Sequence, residues 1–299
     1  MEVRPLVKWA GGKRQILSDL LGHLPPKWNT YYEPFGGGLA LLTALYNRKK
    51  LRHAVISDLN DELINLYVVV KEHPKELIKM LHSLDLRNTS EIYIKNRKRF
   101  NQIRGKNEYA VERAALFLYL NKHGYNGLWR VNKKGEFNVP FGRYKNPRLP
   151  TDVEILNFSK MLQQVEIKNE DFEIAVRTAK KGDFVYFDPP YQPVSSTAYF
   201  TDYTSAGFTA DDQKRLAQVC KKLHKKGVFF MVSNSDTIFI REIYQDFNIY
   251  PLVTNRYISS NPKTRKKAGR EVIITNYSKE VLLWDLVEKA QPQEKLLST

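Results

Sequence analysis

Apolar runs of strand length alternate with helical periodicity at both ends of the chain, yet between about residues 60 and 163 strand signals nearly vanish. No other feature restricts the fold as much. Strand and helix in turn demand a doubly wound, mostly parallel sheet, and an unbroken helical block has to be an insertion into it. Near the start, "TYYEPF" and "HAVISD" read as strands with helical periodicity between them, a βαβ unit; in "RQILSDLLGHL", Ile16, Leu17, Leu20, Leu21 and Leu24 line one helix face. Later, "QQVEIKN", "DFVYFD", "GVFFMVSN", "NIYPLVTNR" and "EVIITNY" read as strands, with helices around Phe172–Thr178, Ala210–Lys226 and Thr237–Asp246 separating most of them. The block between holds "DELINLYVVVKEH", "PKELIKMLHSL", "SEIYIKNRKRFNQI" and "EYAVERAALFLYLNKH" as helices, then "LWRVNKKGEFNVPF", two short alternating runs about Lys133-Lys134-Gly135 that signal a hairpin. The expected organisation is one α/β sheet domain from residues 1–59 and 166–278, an inserted, mainly helical domain with a β-hairpin at 60–165, and a C-terminal helix and tail at 279–299.

Lys plus Arg exceeds Asp plus Glu by 48 − 32 = 16 among 299 residues, so the first candidate partner is a polyanion, nucleic acid. Cys220, the only cysteine, has Leu216, Val219 and Leu223 at helical spacing, which makes it a buried structural thiol and rules out an intramolecular disulfide. No CxxC or HExxH pattern offers a metal site, and no signal-peptide core or membrane-length apolar run is present. The expectation is a monomeric protein of the reducing cytoplasm, associated with the nucleoid, with no metal and no membrane partner.

In an open α/β sheet the ligand sits beyond the carboxyl ends of the strands. There "EPFGGGLALL" places Phe35, Gly36, Gly37 and Gly38, where the backbone can approach a ligand ahead of a helix N-terminus. Asp58 ends the next strand, some twenty residues on, where an acid commonly receives ribose hydroxyls, although it could equally cap the helix of "LNDELI". In "KWAGGKRQ" Arg14 follows Lys13 where a phosphate-binding P-loop needs Ser or Thr, so an NTPase is disfavoured; Trp9 and Lys13 can instead give a cofactor an aromatic wall and a charged contact.

The strand "DFVYF" ends in Asp188-Pro189-Pro190-Tyr191. Each proline fixes its own φ and restricts its predecessor, so a carboxylate, a backbone carbonyl and an aromatic face are held together. Such a clamp suits a planar exocyclic amine: Asp188 and the Pro189 carbonyl each accept one amine hydrogen while Tyr191 stacks on the ring. Gripping both hydrogens favours the tetrahedral nitrogen that forms as it attacks. A methyl sulfonium lying toward the glycine loop is a fitting electrophile, since it needs neither a metal nor a covalent enzyme intermediate.

These residues resemble the S-adenosyl-L-methionine-dependent DNA adenine-N6 methyltransferases of the Dam type. The likeness takes in "KWAGGK", "EPFGGG", "DLNDELINLY", "LFLYLNKHGYNGLWRVNKKGEFNVPFGRYK", "DFVYFDPPY", "AYFTDYTSAGFT", "VSNSDT" and "TRKK", in order over roughly residues 4–277. It implies a Rossmann-like class I methyltransferase fold, S-adenosyl-L-methionine as cofactor and double-stranded DNA as partner. Trp9, Lys13, Asp58 and Asp188 would contact the cofactor or lie beside it, the Asp188–Tyr191 clamp would hold a flipped-out adenine, and residues 60–165 would read the target. Tyr125 would wedge into the base stack, Asn126 meet the base left unpaired, Arg130 read a guanine edge, Leu128 and Pro140 pack on a thymine methyl, and Lys8 contact the other guanine, which together spell GATC. Asn138 and Tyr144 of the same segment are also expected at DNA, as are Arg265, Lys266 and Lys267 of the basic run "NPKTRKKAGR". One departure is clear: after "EPF" the family carries one residue and then Gly-x-Gly, whereas Leu39 stands here at the last position. The competing readings are amine methylation of cytosine N4, an RNA adenine or a protein amide, and a catalytically silent DNA-binding module; cytosine C5 transfer is excluded because Cys220 sits in a Lys-rich helix away from the clamp.

Overall fold

The computed structural model describes residues 2–193, 207–254 and 269–278. Its strands are β1 (Tyr31–Glu33), β2 (Ala54–Ser57), β3 (Val165–Lys168), β4 (Phe184–Phe187), β5 (Phe229–Ser235), β6 (Asn248–Thr254) and β7 (Gly269–Thr275), and its helices include α1 (Leu17–Gly22), α2 (Ala40–Asn47) and α8 (Phe172–Ala175). They form one seven-stranded sheet in the order β3-β2-β1-β4-β5-β7-β6. Strands β1 to β5 pair in parallel, and β7 lies antiparallel between β5 and β6. The α/β expectation and each of the seven sheet strands read from the sequence hold.

Successive side chains of a strand point to opposite faces, and the core divides accordingly. Tyr31, Ile56, Phe184, Tyr186 and Met231 pack on one face. Tyr32, Val55, Val185, Phe187 and Val232 pack on the other, beneath Leu216, Cys220 and Leu223 of α9 (Ala210–Lys225) and Ile240 of α10 (Ile238–Ile243). All four residues of β4 are buried, which explains its continuous apolar run. Cys220 is fully buried there, and burial pushes its thiol far above the usual range.

The helical block runs from β2 to β3 as α3 (Asp61–Glu72), α4 (Pro74–Ser83), α5 (Ser90–Ile103), α6 (Ala110–His123) and α7 (Asp152–Leu162). Its Leu77, Tyr93, Phe100 and Phe117 share one continuous core with Leu42, Ile56 and Phe184 of the sheet layer. Asn60, not Asp58, caps α3, accepting the N–H groups of Glu62 and Leu63. The expected hairpin departs from a two-stranded ladder. Val131 and Phe137 form an isolated antiparallel bridge, flanked by the Asn132 N–H on the Glu136 carbonyl at 2.8 Å and the Asn138 N–H on the Arg130 carbonyl at 3.1 Å, and the Asn132 side chain closes the turn by accepting the Lys134 and Glu136 N–H groups. Residues 279–299 lie outside the described part of the chain.

Leu39 sits just before the helix Ala40–Asn47 with φ 56°, in the left-handed region where the family pattern carries glycine. A left-handed leucine costs about 1–3 kcal/mol. Its side chain is fully buried, and burying a leucine returns about 1.5–3 kcal/mol, so the conformation is sustained.

Candidate active site

The strand order reverses between β1 and β4, where a doubly wound sheet opens its ligand crevice. The loops after these neighbouring strands are the glycine loop and the Asp188–Tyr191 turn. Two elements of distant sequence are thus side by side because β1 pairs with β4.

The glycine loop is fastened from below. Gly36 donates to the Ser57 carbonyl at 2.8 Å, Gly37 donates to Asp58 Oδ2 at 2.9 Å, and Tyr67 of α3 donates its hydroxyl to the Gly37 carbonyl. The other Asp58 oxygen accepts the Asn60 N–H at 2.9 Å. Burial raises the Asp58 carboxyl, and these N–H donors oppose the rise. Gly37 adopts φ 47°, and a Cβ there would come within 2.8 Å of the Trp9 ring, which lies across the loop.

Beyond β4, Lys13 Nζ meets Asp188 Oδ1 at 2.7 Å and sits 4.5 Å from the centre of the Tyr191 ring. The lysine is 5% exposed, and it also donates to the Gly11 carbonyl at 2.8 Å. Ser233 Oγ donates to the same Asp188 oxygen at 2.9 Å, and the Tyr186 hydroxyl lies 3.0 Å from Ser233 Oγ. Tyr191 donates its hydroxyl to the buried Glu271. Two fully buried amides then hold the turn on either side of Tyr191. Gln213 Nε2 donates to the Pro190 carbonyl, Asn234 Oδ1 accepts the Gln192 N–H, and Asn234 Nδ2 donates to Gln213 Oε1. Beneath Asp188, burial pushes the Glu33 carboxyl up to about 8; the Tyr31 hydroxyl that bonds it opposes the shift and the Asp188 charge adds to it.

A second cluster gathers at the end of α6. Tyr125 is 47% exposed, its N–H bonded to the Pro140 carbonyl at 2.9 Å. Asn126 has φ 54°, and its N–H donates to the Tyr144 hydroxyl at 2.8 Å. Arg130 donates through Nε to Asn138 Oδ1 at 2.8 Å, while Leu128 packs on the core edge. Lys8 Nζ stands 4.2 Å from the Tyr144 ring centre. A cleft of about 860 Å³ runs past Trp9, Lys13 and Gly38 of the first cluster and Lys8 and Tyr144 of the second, with Arg4 and Lys122 also on its wall.

Residues 9–258 match the family described as D12 class N6 adenine-specific DNA methyltransferase. The chain belongs to that family. It is 44% identical over 279 residues to the type II methyltransferase M1.LlaDCHI of Lactococcus lactis subsp. cremoris, covering 93% of this chain and 96% of that one. Identity to the type II methyltransferase M.MjaIII of Methanocaldococcus jannaschii is 44% over 291 residues, 93% and 100% of the two chains. A DNA adenine methylase of Escherichia coli K12 is 40% identical over 267 residues, 88% of this chain and 92% of that one.

In this D12 methyltransferase the structure brings together Trp9, Lys13, Gly36, Gly37, Gly38, Asp58, Asp188 and Tyr191 at the switch point, and Lys8, Tyr125, Asn126, Leu128, Arg130, Asn138, Pro140 and Tyr144 at the second cluster. Phe35 turns its ring to the sheet's other face, stacked on Phe172 at 5.3 Å and edge-on to Phe208 and Phe187. Arg265, Lys266 and Lys267 lie outside the described residues. Sequence reasoning assigned nothing to Ser233, Asn234, Gln213, Glu33 or Glu271. Gln213 was detectable: it shares a helical stripe with Leu216, Ala217 and Cys220, an apolar face that a lone amide interrupts. Glu33 carries a similar signal, an acid inside a run that reads as a buried strand, and Glu271 opens another such run. Among the described residues no group of His, Cys, Asp and Glu could hold a metal ion, and no helix is long and apolar enough to cross a membrane.

Proposed function

We propose that the protein transfers a methyl group from S-adenosyl-L-methionine to N6 of an adenine flipped out of duplex DNA, within GATC. The observation that carries this reading is the meeting of the Asp188–Tyr191 turn with the glycine loop at the switch point, roofed by the segment from Lys8 to Lys13. Family membership supports adenine N6 as the acceptor.

The groups present fit that cofactor. It carries a ribose diol, an ammonium, a carboxylate and an adenine ring, and the crevice offers carboxylates at Asp58 and Asp188, an ammonium at Lys13 and an indole at Trp9. When bound, it supplies the methyl group on a sulfonium. The chain's own residues do the rest. Asp188 and the Pro189 carbonyl accept the two hydrogens of the target amine, and Tyr191 stacks on the base. Gln213 already occupies the Pro190 carbonyl, so the buried amide pair fixes the orientation of the turn that presents these groups.

At the second cluster, exposed Tyr125 is placed to enter the base stack beside Asn126. Arg130 has five N–H donors, and the two held by Asn138 orient its plane toward a guanine edge. The net charge of +16 and the basic cleft supply the sequence-independent attraction.

The test is tritiated methyl transfer from the cofactor to duplexes with and without GATC. Incorporation into adenine N6 of GATC alone is expected. Equal incorporation into both duplexes refutes the target, and none into either refutes the reaction. Asp188→Ala should lower transfer by roughly 10²–10³-fold or more while DNA binding in a mobility-shift assay persists.

A further inference from the structure

The two clusters are joined by one short stretch of chain, and a single buried side chain holds its near end. Asn121 of α6 is 5% exposed. Its Oδ1 accepts the Lys8 N–H at 2.8 Å, and its Nδ2 donates to the Lys8 carbonyl at 2.7 Å and to the Gly127 carbonyl at 3.3 Å. One amide thus grips the backbone of residue 8 from both sides, as a paired strand would, and ties it to the loop that carries Tyr125 and Asn126. The fit there is close. A Cβ on Gly127, at φ 63°, would lie 2.5 Å from Lys8 Cβ.

The grip continues along the helix. Phe117, one turn before Asn121, stacks on Trp9 with ring centres 6.5 Å apart. Trp9 lies on Gly37, and a turn closed by the Gly12 N–H on the Trp9 carbonyl brings Lys13 to Asp188. The face of α6 therefore sets where residues 8 and 9 stand relative to the reading loop and the crevice.

We infer that Asn121 is a positioning residue for target discrimination: it sets the register of Lys8 against the Tyr125–Gly127 turn, so that Lys8 reads its base pair in step with the rest of the loop. This rests on the reading of the second cluster as the DNA-reading surface. Asn121 itself touches no substrate.

The experiment compares kcat/KM on the preferred duplex with kcat/KM on duplexes changed at one base pair at a time, for the wild type, Lys8→Ala, Asn121→Ala and Asn121→Gln. Asn121→Gln retains the amide but displaces it by one methylene. The ratio between duplexes cancels the active fraction, so a partly folded variant still gives an answer. Discrimination should fall roughly tenfold in both Asn121 variants at the base pair that Lys8→Ala relaxes, and hold within about twofold at the others. A uniformly slower enzyme with unchanged ratios would make Asn121 structural only and overturn the inference, as would an equal loss of discrimination at every pair. Failure of the wild type to methylate any duplex would instead refute the proposed function.

Discussion

The crevice and the proposed reading loop solve the same problem, holding polar groups in fixed directions, by different means. At the crevice the Asp188 turn springs from β4, whose four residues are buried at the centre of the sheet, and it is braced by single contacts: one Gln213 to Pro190, one Asn234 to Gln192. The reading loop has no ladder to spring from. Instead α5 presents Tyr93, Arg97 and Asn101 at four-residue spacing, on one face. Tyr93 and Arg97 both donate to the Val139 carbonyl at 3.0 Å, and Asn101 pairs with both backbone groups of Phe137. The crevice takes its rigidity from the sheet, with each backbone group of the turn held by one side chain of a coupled amide pair, whereas the loop borrows its shape from a helix through overlapping bonds on one carbonyl.

If this contrast is right, breaking a lone brace costs more than breaking a shared one. Asn234→Ala leaves the Gln192 and Ser235 N–H groups and the Gln213 amide short of partners, about 1–3 kcal/mol for a buried group. We expect kcat to fall roughly tenfold or more with KM for DNA nearly unchanged, measured by steady-state methyl transfer. A change in KM alone would mean the amide pair does not orient the turn.

Glu33 tests the buried floor of the crevice through pH. Its carboxyl is raised from an ordinary value near 4.5 to about 8, so between those limits the folded protein holds a proton that the unfolded chain has released. Stability is then full below about 4.5 and falls as pH rises toward 8, with a slope of about 1.4 kcal/mol per pH unit. Thermal melts from pH 6 to 8 should show the wild type losing stability faster than Glu33→Gln. Parallel curves would show that the acid titrates normally.

The smallest effect belongs to the shared carbonyl. Tyr93→Phe removes one of two donors to Val139, about 0.5–1.5 kcal/mol, and should raise KM for DNA only a few-fold with kcat held. A loss as large as that of Asn234→Ala would erase the distinction between the two regions.

What the sequence revealed follows the same division. Strands declared themselves because burial on both faces makes an apolar run, and the Asp188 turn because prolines cannot continue a strand. The residues that brace the turn stayed hidden, since Asn234 and Gln213 are far from it in sequence and become partners only through β4 pairing with β5 and α9 packing beside them. The hairpin is legible from its alternation, whereas its shortness, a single bridge closed by the Asn132 side chain, depends on which way one amide points. The grouping of Lys8 with the Tyr125–Tyr144 loop was legible through the family resemblance alone; no local pattern places residue 8 against residue 144.

Leu39 bears on how signatures of this kind are written. Leu39 stands where the resemblance expects glycine, and it holds a left-handed φ of 56°. A glycine-rich motif is therefore a record of backbone angles, with glycine the commonest way to reach them. A pattern that insists on the letter would pass over this chain, whereas one that asks for the angle and accepts a buried apolar side chain there would find it, together with any other sequence that has made the same exchange.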